Sequence, residues 1–301
     1  MSARATLAEG GSSAAYLHLM QAVEGRLSQV LRSEYRPLKS LSGEAGEAAS
    51  YHLRTGGNRV RAQLALHAGR ALGLGVSDAV TLATTCELLH NASLIHDDLQ
   101  DLDEVRRGAR AVWVTYGKSV AICTGDLLLS AAYGALATFS QPQALPALLA
   151  LVHARTACAI EGQCADLIAP QGAVDTVTAY ERFARAKSGA LLSLPLELAL
   201  VAAGQGRWCA EARRAAEAFA IGYQIADDLE DLEKDENSMD SQPCLNIVLV
   251  LNAPGCRDEA RKAAHSLGLR HLSTTAAAAG NLPNGSGELL RELAQRLAAK
   301  L

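Results

Sequence analysis

The sequence predicts an all-α protein, and three observations support that prediction. Apolar residues recur three and four positions apart along nearly the whole chain, as on one face of a helix, and the alternation typical of strands is almost absent. The chain is rich in Ala and Leu, which are strong helix formers. Hydrophobic residues make up 49% of the 301 residues, whereas aromatic residues make up only 4%. We therefore expect a large helical core.

Glycine and proline mark the ends of the predicted helices. Gly56 and Gly57 precede one helix, the segment Gly73–Gly75 ends it, and Pro142 with Pro146 separates two others. On these breaks and the apolar spacing, we predict helices over residues 12–33, 44–54, 58–72, 77–101, 117–138, 144–168, 174–202, 208–234, 244–252, 256–267 and 286–301.

We predict a single domain over residues 1–301. The length allows one large domain or two ordinary ones, but no linker divides the chain and no repeat of fixed period is present. Polar loops are expected over Lys234–Pro243 and Gly280–Gly287, and the first ten residues are expected to be mobile.

Charge and composition argue against several kinds of partner. The net charge is −4, which gives no electrostatic reason to expect nucleic acid or an anionic membrane. The apolar run Ile247–Leu251 is far shorter than the about 20 residues that cross a bilayer, and the first twenty residues lack the apolar core of a signal peptide. We expect a cytoplasmic protein with no integral membrane segment. The cysteines show no Cys-x-x-Cys spacing and are expected to be reduced core residues: Cys86, Cys123, Cys158, Cys164, Cys209, Cys244 and Cys256.

Two aspartate clusters are the most informative motifs in the chain. Residues three and four apart share a helix face, so the first and last carboxylates of each cluster point the same way. Crowded carboxylates repel one another unless cations neutralise them. Each cluster reads Asp-Asp-x-x-Asp and follows an apolar stretch, and the two sets are Asp97, Asp98, Asp101 and Asp227, Asp228, Asp231.

Oxygen ligands of this kind suit Mg²⁺, which recruits waters and substrate phosphates to complete its coordination. A single cluster would be read more simply as an exposed helix end. However, the preceding runs Leu82–Ile95 and Ala215–Ala226 are mostly apolar, which is typical of helices at the centre of a bundle. We therefore expect both clusters to line an internal cavity and to hold one diphosphate between them.

Further motifs lie in order along roughly residues 50–235. They are Gly56-Gly57-Asn58-Arg59-Val60-Arg61, Glu87-Leu88-Leu89-His90, Leu94-Ile95-His96-Asp97-Asp98, Arg106-Arg107-Gly108, Gly125-Asp126, Gly162-Gln163 with Asp166-Leu167, Lys187-Ser188 and Gly222-Tyr223-Gln224. Together they resemble the motifs of the trans-isoprenyl diphosphate synthases, or polyprenyl synthetases, of the geranylgeranyl and farnesyl diphosphate synthase type. The first is similar to the family's Gly-Gly-Lys-Arg-x-Arg.

The resemblance implies an isoprenoid synthase-type bundle of ten or more helices around a central cavity, a homodimer, and three Mg²⁺ ions per active site. It implies that these ions bind the six aspartates of the two clusters. The catalytic residues would be Asp97, Asp98, Asp101, Lys187, Asp227 and Asp228. The donors to an allylic diphosphate would be Arg106, Lys187, Ser188 and Gln224. A metal-free basic site for the diphosphate of isopentenyl diphosphate would consist of Asn58, Arg61, His90 and Arg107.

The implied reaction condenses an allylic prenyl diphosphate with isopentenyl diphosphate to an all-trans prenyl diphosphate. Ionisation of the allylic C–O bond leaves negative charge that cations stabilise. The carbocation needs an apolar, water-free wall, which helices of Ala, Leu and Ile provide. The departing diphosphate can remove the proton, so no protein base is required. The sequence indeed shows no Ser-His-Asp or Cys-His arrangement.

Two departures from the family pattern weaken the acceptor site. Asn58 stands where the family has a lysine, and losing a charge-assisted contact costs about 1.5–3 kcal/mol; the neighbouring Arg59 is a candidate to compensate. The loop Glu236–Pro243 lacks lysine, whereas the family usually has a Gly-Lys segment there. Three alternatives therefore stay open: a class I terpene cyclase or lyase on the same fold, a non-catalytic subunit of a heteromeric synthase, and transfer to a non-isoprenoid acceptor.

The helix before Asp97 suggests a product length. One helical turn rises about 5.4 Å, close to one isoprene unit. Ala92 and Ser93 lie one turn upstream and are small, and Leu89 lies one turn further back. We expect a C20 product, with C15 as the second possibility and Leu89 as the limit.

Overall fold

The computed structural model describes residues 14–31, 44–168, 176–238, 246–251 and 256–301, and almost all of them are helical. The all-α prediction is confirmed. The α-helices are α1 (Ala14–Leu31), α2 (Glu44–Arg54), α3 (Val60–Ala71), α4 (Val76–Gln100), α5 (Val112–Tyr116), α6 (Lys118–Leu136), α7 (Leu145–Ile168), α8 (Val177–Ala184), α9 (Ala190–Ala202), α10 (Cys209–Ser238), α11 (Ile247–Leu251), α12 (Arg257–Gly280) and α13 (Glu288–Ala298). The shorter elements are 3-10 turns at Pro142–Ala144, Gly206–Trp208 and Pro283–Gly285, a π-helix at Arg185–Gly189, and the strands β1 (Val105–Arg106) and β2 (Ala109–Arg110).

Helix α4 forms the centre of the bundle. It packs against α1, α3, α6 and α9, and nearly every side chain from Asp78 to Ala92 is buried. Helix α10 packs against α9 and α12. Helix α9 thus contacts both aspartate-bearing helices, and the π-helix before it packs against α7 and α10. The segment Arg185–Ala202 therefore connects the surroundings of the two clusters.

Helix α12 continues to Gly280, beyond the predicted end at residue 267. Gly268 lies inside this helix, where the absence of a side chain lets α12 pack closely against α10. A Cβ at this position would lie 3.1 Å from Cγ2 of Ile225 in α10. The following residues, including Ala276–Ala279, are strong helix formers and extend the helix.

Two further predictions of helix boundaries were wrong. Helix α10 extends to Ser238, although residues 234–238 were predicted as loop. The predicted helix 174–202 is interrupted by the π-helix Arg185–Gly189. The expected mobile segment 1–10 and the rest of the predicted loop, residues 239–243, lie outside the described residues.

A two-stranded hairpin was not predicted. Strands β1 and β2 pair antiparallel across the two-residue turn Arg107-Gly108. Both turn residues have positive φ, 54° and 78°. This is the backbone that a tight hairpin turn requires and that glycine adopts readily.

Two helical segments are apolar enough, by length and composition, to cross a membrane: Lys118–Leu136 and Pro142–Ala165. Core helices of soluble proteins pass the same test, and α6 packs extensively on α4. Helix α7 is different because it leaves Leu149, Ile160 and Leu167 exposed. The single chain therefore presents an uncovered apolar face.

A buried carboxylate ties three helices together. Glu197 of α9 is 0% exposed. It accepts hydrogen bonds from Arg155 Nε of α7 at 2.7 Å, from Arg213 Nη2 of α10 at 2.9 Å and from Ser193 Oγ at 2.9 Å. Removing one partner of a buried ion pair leaves the others desolvated and unpaired.

We expect Glu197→Ala to lower the free energy of unfolding by about 3–5 kcal/mol, because Arg155 would lose its buried partner. Glu292→Ala is the matched control, since Glu292 pairs with Arg296 at the surface and should change stability by less than about 1 kcal/mol. Urea denaturation of both variants measures the difference. Equal effects would show that the network does not hold the bundle.

Candidate active site

The first aspartate cluster lies at the C-terminal end of α4. Asp97 and Asp101 are partly exposed, whereas Asp98 is only 1% exposed. Burial raises the pKa of Asp97 to about 6, with Asp101 adding to the rise and Lys187 opposing it. The ionised cluster is therefore costly without further positive charge.

The hairpin brings Arg106 into contact with this cluster. Arg106 Nε donates to Asp98 Oδ1 at 2.6 Å, and Arg106 Nη2 also reaches Asp103 Oδ2 at 3.3 Å. Burial raises the pKa of Asp98 despite this partner. The other oxygen of Asp98, Oδ2, is buried and has no hydrogen-bond partner within the described part of the chain.

The second cluster has one buried and two partly exposed carboxylates. Asp228 is 4% exposed, whereas Asp227 and Asp231 are partly exposed on the same helix. Asp228 Oδ1 accepts from Gln224 Nε2 at 2.9 Å. Its Oδ2 accepts from Tyr180 Oη and from the backbone N–H of residue 247, both at 2.8 Å. Asp228 thus joins α8, α10 and the start of α11.

Lys187 and Ser188 lie on the π-helix, a feature that often occurs at functional sites. The charge of Lys187 acts on Asp97 of the first cluster. Helix α7 approaches this turn closely at Gly162, where a Cβ would lie 2.8 Å from the Ala186 backbone carbon. The sequence motif Gly162-Gln163 therefore has a packing role, and Gln163 Nε2 donates to Gln100 Oε1 at 3.1 Å. The side chain of Asp166 lies outside the described residues.

The predicted acceptor-site residues come together around the Gly56-Gly57 turn. Arg107 donates to the Gly56 carbonyl oxygen. Its guanidinium lies so near Gly57 that a Cβ there would be 2.6 Å from the Arg107 Cζ atom. Arg61 and Arg107 both act on partly buried His90, and desolvation with these charges holds the pKa of His90 well below its usual value. Asn58 precedes α3 at the edge of this group.

Arg59 does not replace the missing lysine charge. It is 9% exposed, and its Nε donates to Glu24 Oε1 at 2.7 Å. Its Nη2 donates to the Leu53 carbonyl at 2.9 Å, and its Nη1 lies 3.7 Å from Oε2 of buried Glu87. Its charge is therefore directed at two carboxylates of the protein itself.

The predicted chain-length residues lie in or beside the core. Ala92 is 1% exposed and Leu89 is 2% exposed, and both belong to the main hydrophobic cluster. Ser93 is partly buried, and its Oγ donates to the His90 carbonyl at 2.8 Å. All three lie on α4 upstream of Asp97, as predicted.

Within the described residues, no three His, Cys, Asp or Glu side chains lie close enough together to hold a metal ion by themselves. The donor chemistry nevertheless suits Mg²⁺, since each cluster offers carboxylate oxygens on a partly exposed face. The partnerless Oδ2 of Asp98 and the raised pKa of Asp97 both indicate that added positive charge would be stabilising.

Comparison with known proteins agrees with this arrangement. Residues 44–245 match the family model described as Polyprenyl synthetase. The chain belongs to this family. A short chain isoprenyl diphosphate synthase from Methanothermobacter thermautotrophicus is 34% identical over 193 residues, which are 64% of this chain and 59% of that protein. A farnesyl diphosphate synthase from Geobacillus stearothermophilus is 31% identical over 228 residues, which are 73% of this chain and 75% of that protein.

A solved structure supports the fold over nearly the full length. The geranylgeranyl pyrophosphate synthetase from Pyrococcus horikoshii Ot3 has a TM-score of 0.79 and 22% identity, and the match covers 94% of this chain and 98% of that one. The predicted isoprenoid synthase-type bundle is confirmed.

Sequence reasoning missed several residues around the polyprenyl synthetase motifs. Tyr180 and Asn246 hold Asp228, the latter through a 2.8 Å bond from Nδ2 to the Asp228 carbonyl. His52 and Asn91 form a buried pair beside His90. Neither group has a local sequence pattern, because the partners are far apart in the chain. Only the Arg-Gly pair in the hairpin turn carried a usable local signal.

Asp97→Asn is expected to raise the free energy of unfolding at pH 7.5 in EDTA by about 1–2 kcal/mol. The pKa of Asp97 in the folded protein, about 6, exceeds the unfolded value of about 3.9. Its ionisation therefore destabilises the fold increasingly as the pH rises from 4 through 6, and Asn removes that cost.

Urea denaturation at pH 4 and pH 7.5 checks this expectation. The difference in free energy of unfolding between the wild-type protein and Asp97→Asn should vanish at the lower pH. A wild-type protein as stable as the variant at pH 7.5 would contradict it.

Proposed function

We propose that this protein is a trans-prenyltransferase that condenses an allylic prenyl diphosphate with isopentenyl diphosphate to an all-trans prenyl diphosphate. The observation that carries the proposal is the pairing of two distinct basic groups with the aspartate clusters. Lys187 and Arg106 act on the first cluster, whereas Arg61 and Arg107 act on His90. One basic group suits each of two diphosphates.

Mg²⁺ is the proposed cofactor, with three ions per active site. When bound, it supplies positive charge that stabilises a departing diphosphate. The partly exposed carboxylates are the main proposed ligands, and the buried pair Asp98 and Asp228 complete the two clusters. The full proposed ligand set is Asp97, Asp98, Asp101, Asp227, Asp228 and Asp231.

The side chains of this protein add fixed charge and hydrogen-bond donors for the allylic diphosphate. Arg106 and Lys187 place cations beside the first cluster, and the hydroxyl of Ser188 adjoins Lys187. Preorganised donors of this kind are most effective when charge develops on the leaving group. Gln224 donates to Asp228 in the structure, so we propose that it orients this carboxylate towards the cations that bind the allylic diphosphate, in place of the direct contact predicted from the sequence.

Apolar helices exclude water from the reacting carbons. Helix α9 is buried along almost its whole length, and so is the part of α4 upstream of Asp97. After the allylic C–O bond breaks, the alkene of isopentenyl diphosphate attacks the allylic carbon. A proton is then lost to the departed diphosphate, so the mechanism needs no protein base.

We also propose a cytoplasmic homodimer. The exposed apolar face of α7, with Leu149, Ile160 and Leu167, would be covered by a second copy. The six cysteines within the described residues are all free thiols, as in a reducing compartment. No feature of the charge distribution suggests a nucleic acid partner.

A product assay tests the proposed activity. Purified protein with Mg²⁺ receives dimethylallyl, geranyl or farnesyl diphosphate, each with and without isopentenyl diphosphate. We expect longer prenyl diphosphates, with C20 dominant, only when isopentenyl diphosphate is present. Hydrocarbons or alcohols formed without it would establish a cyclase or lyase instead. No product in any combination would support a non-catalytic subunit.

Ala92→Phe should shorten the main product from C20 towards C15, because a ring at this position would fill the space one helical turn from Asp97. Ala278→Phe is the control for overpacking, since Ala278 is equally buried but lies on α12. Mass spectrometry of the products gives the chain length. An unchanged distribution in the α4 variant would contradict the proposed position of the growing chain.

A further inference from the structure

A buried histidine outside the family motifs faces the acceptor site. His52 lies on α2, one turn before the Gly56-Gly57 turn, and is 2% exposed. Charge on Arg107 acts directly on its imidazole, and His52 in turn acts on His90. The structure therefore adds a second imidazole to the predicted acceptor group.

A hydrogen-bond chain orients this imidazole. Asn91 Nδ2 donates to the Glu87 carbonyl at 2.7 Å and lies 3.4 Å from Glu87 Oε2. The amide oxygen of Asn91 therefore faces His52 Nε2, at 3.2 Å, and accepts a hydrogen bond from its N–H. Neutral His52 carries hydrogen on Nε2, so a second proton would add at Nδ1.

The side chains around His52 and His90 offer more hydrogen-bond donors than acceptors. Arg59 Nη1 and Arg61 Nε are buried and lack a hydrogen-bond partner within the described residues. Arg59 Nη1 lies 3.7 Å from Glu87 Oε2, so the charge of Arg59 is already paired. Buried donors are normally satisfied, so the remaining nitrogen, Arg61 Nε, indicates a place for an anion. The carboxylates in contact with Arg59 are those of Glu24 and Glu87, and Glu87 Oε1 also accepts from the backbone N–H of residue 62 at 3.0 Å.

Both imidazoles are neutral in this environment. Burial, Arg107, Arg106 and Arg59 lower the pKa of His52 to about 3, with the Asn91 hydrogen bond opposing that shift. Burial together with Arg61, Arg107, His52 and Arg59 lowers the pKa of His90 as well. A bound diphosphate would reverse this field. In general, a negative charge about 7 Å from a titrating group raises the pKa of that group by about 1.5–2 units at an intermediate dielectric constant.

We propose that His52 takes up a proton at Nδ1 when the diphosphate of isopentenyl diphosphate binds among Arg61, His90 and Arg107, and so supplies the positive charge that Asn58 does not provide. This role rests on the proposed function. His52 is a positioning residue, because its burial keeps it from contacting the ligand and it acts through the charge that it adds beside Arg107 and His90.

Calorimetry of isopentenyl diphosphate binding tests the proposal without metal or turnover. Titration at pH 7 in buffers of different ionisation enthalpy gives the number of protons taken up. His52→Gln keeps a donor for Asn91 but cannot become charged. We expect it to remove about half or more of the uptake and to weaken binding about 10-fold at pH 6.5, with a smaller loss at pH 8.5. His18→Gln, on the exposed side of α1, is the matched control and should change neither quantity.

Asn58→Lys gives an independent check, because a fixed charge should tighten binding and reduce proton uptake in the otherwise unchanged protein. This variant decides the matter if His52→Gln does not fold. Uptake that is the same in wild type, His52→Gln and Asn58→Lys would overturn the proposal. Absence of elongation by the wild-type protein in the product assay would overturn the proposed function itself. Normal elongation together with the same proton uptake in the wild-type protein and the variants would overturn only the role of His52.

Discussion

Carboxylates that follow buried apolar helix segments constrain everything else in the site. Apolar residues on most sides keep α4 and α10 inside the bundle, and the Asp-Asp-x-x-Asp spacing then directs carboxylates to a partly exposed face. Burial raises the pKa of Asp97 and Asp98, so ionising both carboxylates costs free energy unless cations neutralise them. The ionised aspartates therefore lower the stability of the folded protein at the place where we propose that metal and diphosphate bind.

Each cluster follows the same plan, in which one buried aspartate is held by other elements and its neighbours stay accessible. Asp98 holds Arg106 of the hairpin, whereas Asp228 is held by Tyr180, Gln224 and the start of α11. The buried aspartates connect the partly exposed carboxylates beside them to distant parts of the chain. This arrangement explains how residues far apart in sequence form one site.

The helical class and the two aspartate clusters could be predicted because helical spacing and apolar runs are local signals. The order of the motifs also located Lys187, Arg106 and Arg107. What could not be predicted depends on tertiary packing. Gly268 reads as a break in the sequence but is a packing contact in the structure.

The role of Arg59 also required the structure. Its position beside Asn58 suggested compensation for the lost lysine, yet its guanidinium faces Glu24 and Glu87. The contact with Glu24 joins residues from two separate helices, so no sequence window contains it. The same is true of the His52–Asn91 pair, which becomes visible only when α2 and α4 lie side by side.

We propose that both aspartate clusters bind one diphosphate through divalent cations. A crystal structure with Mn²⁺ and a non-ionisable allylic thiolodiphosphate would test this most directly, because anomalous scattering locates the ions. We expect ions on Asp97 and Asp101 and on Asp227 and Asp231, all contacting the same diphosphate. Ions on one cluster alone, or a diphosphate bound away from both, would contradict it.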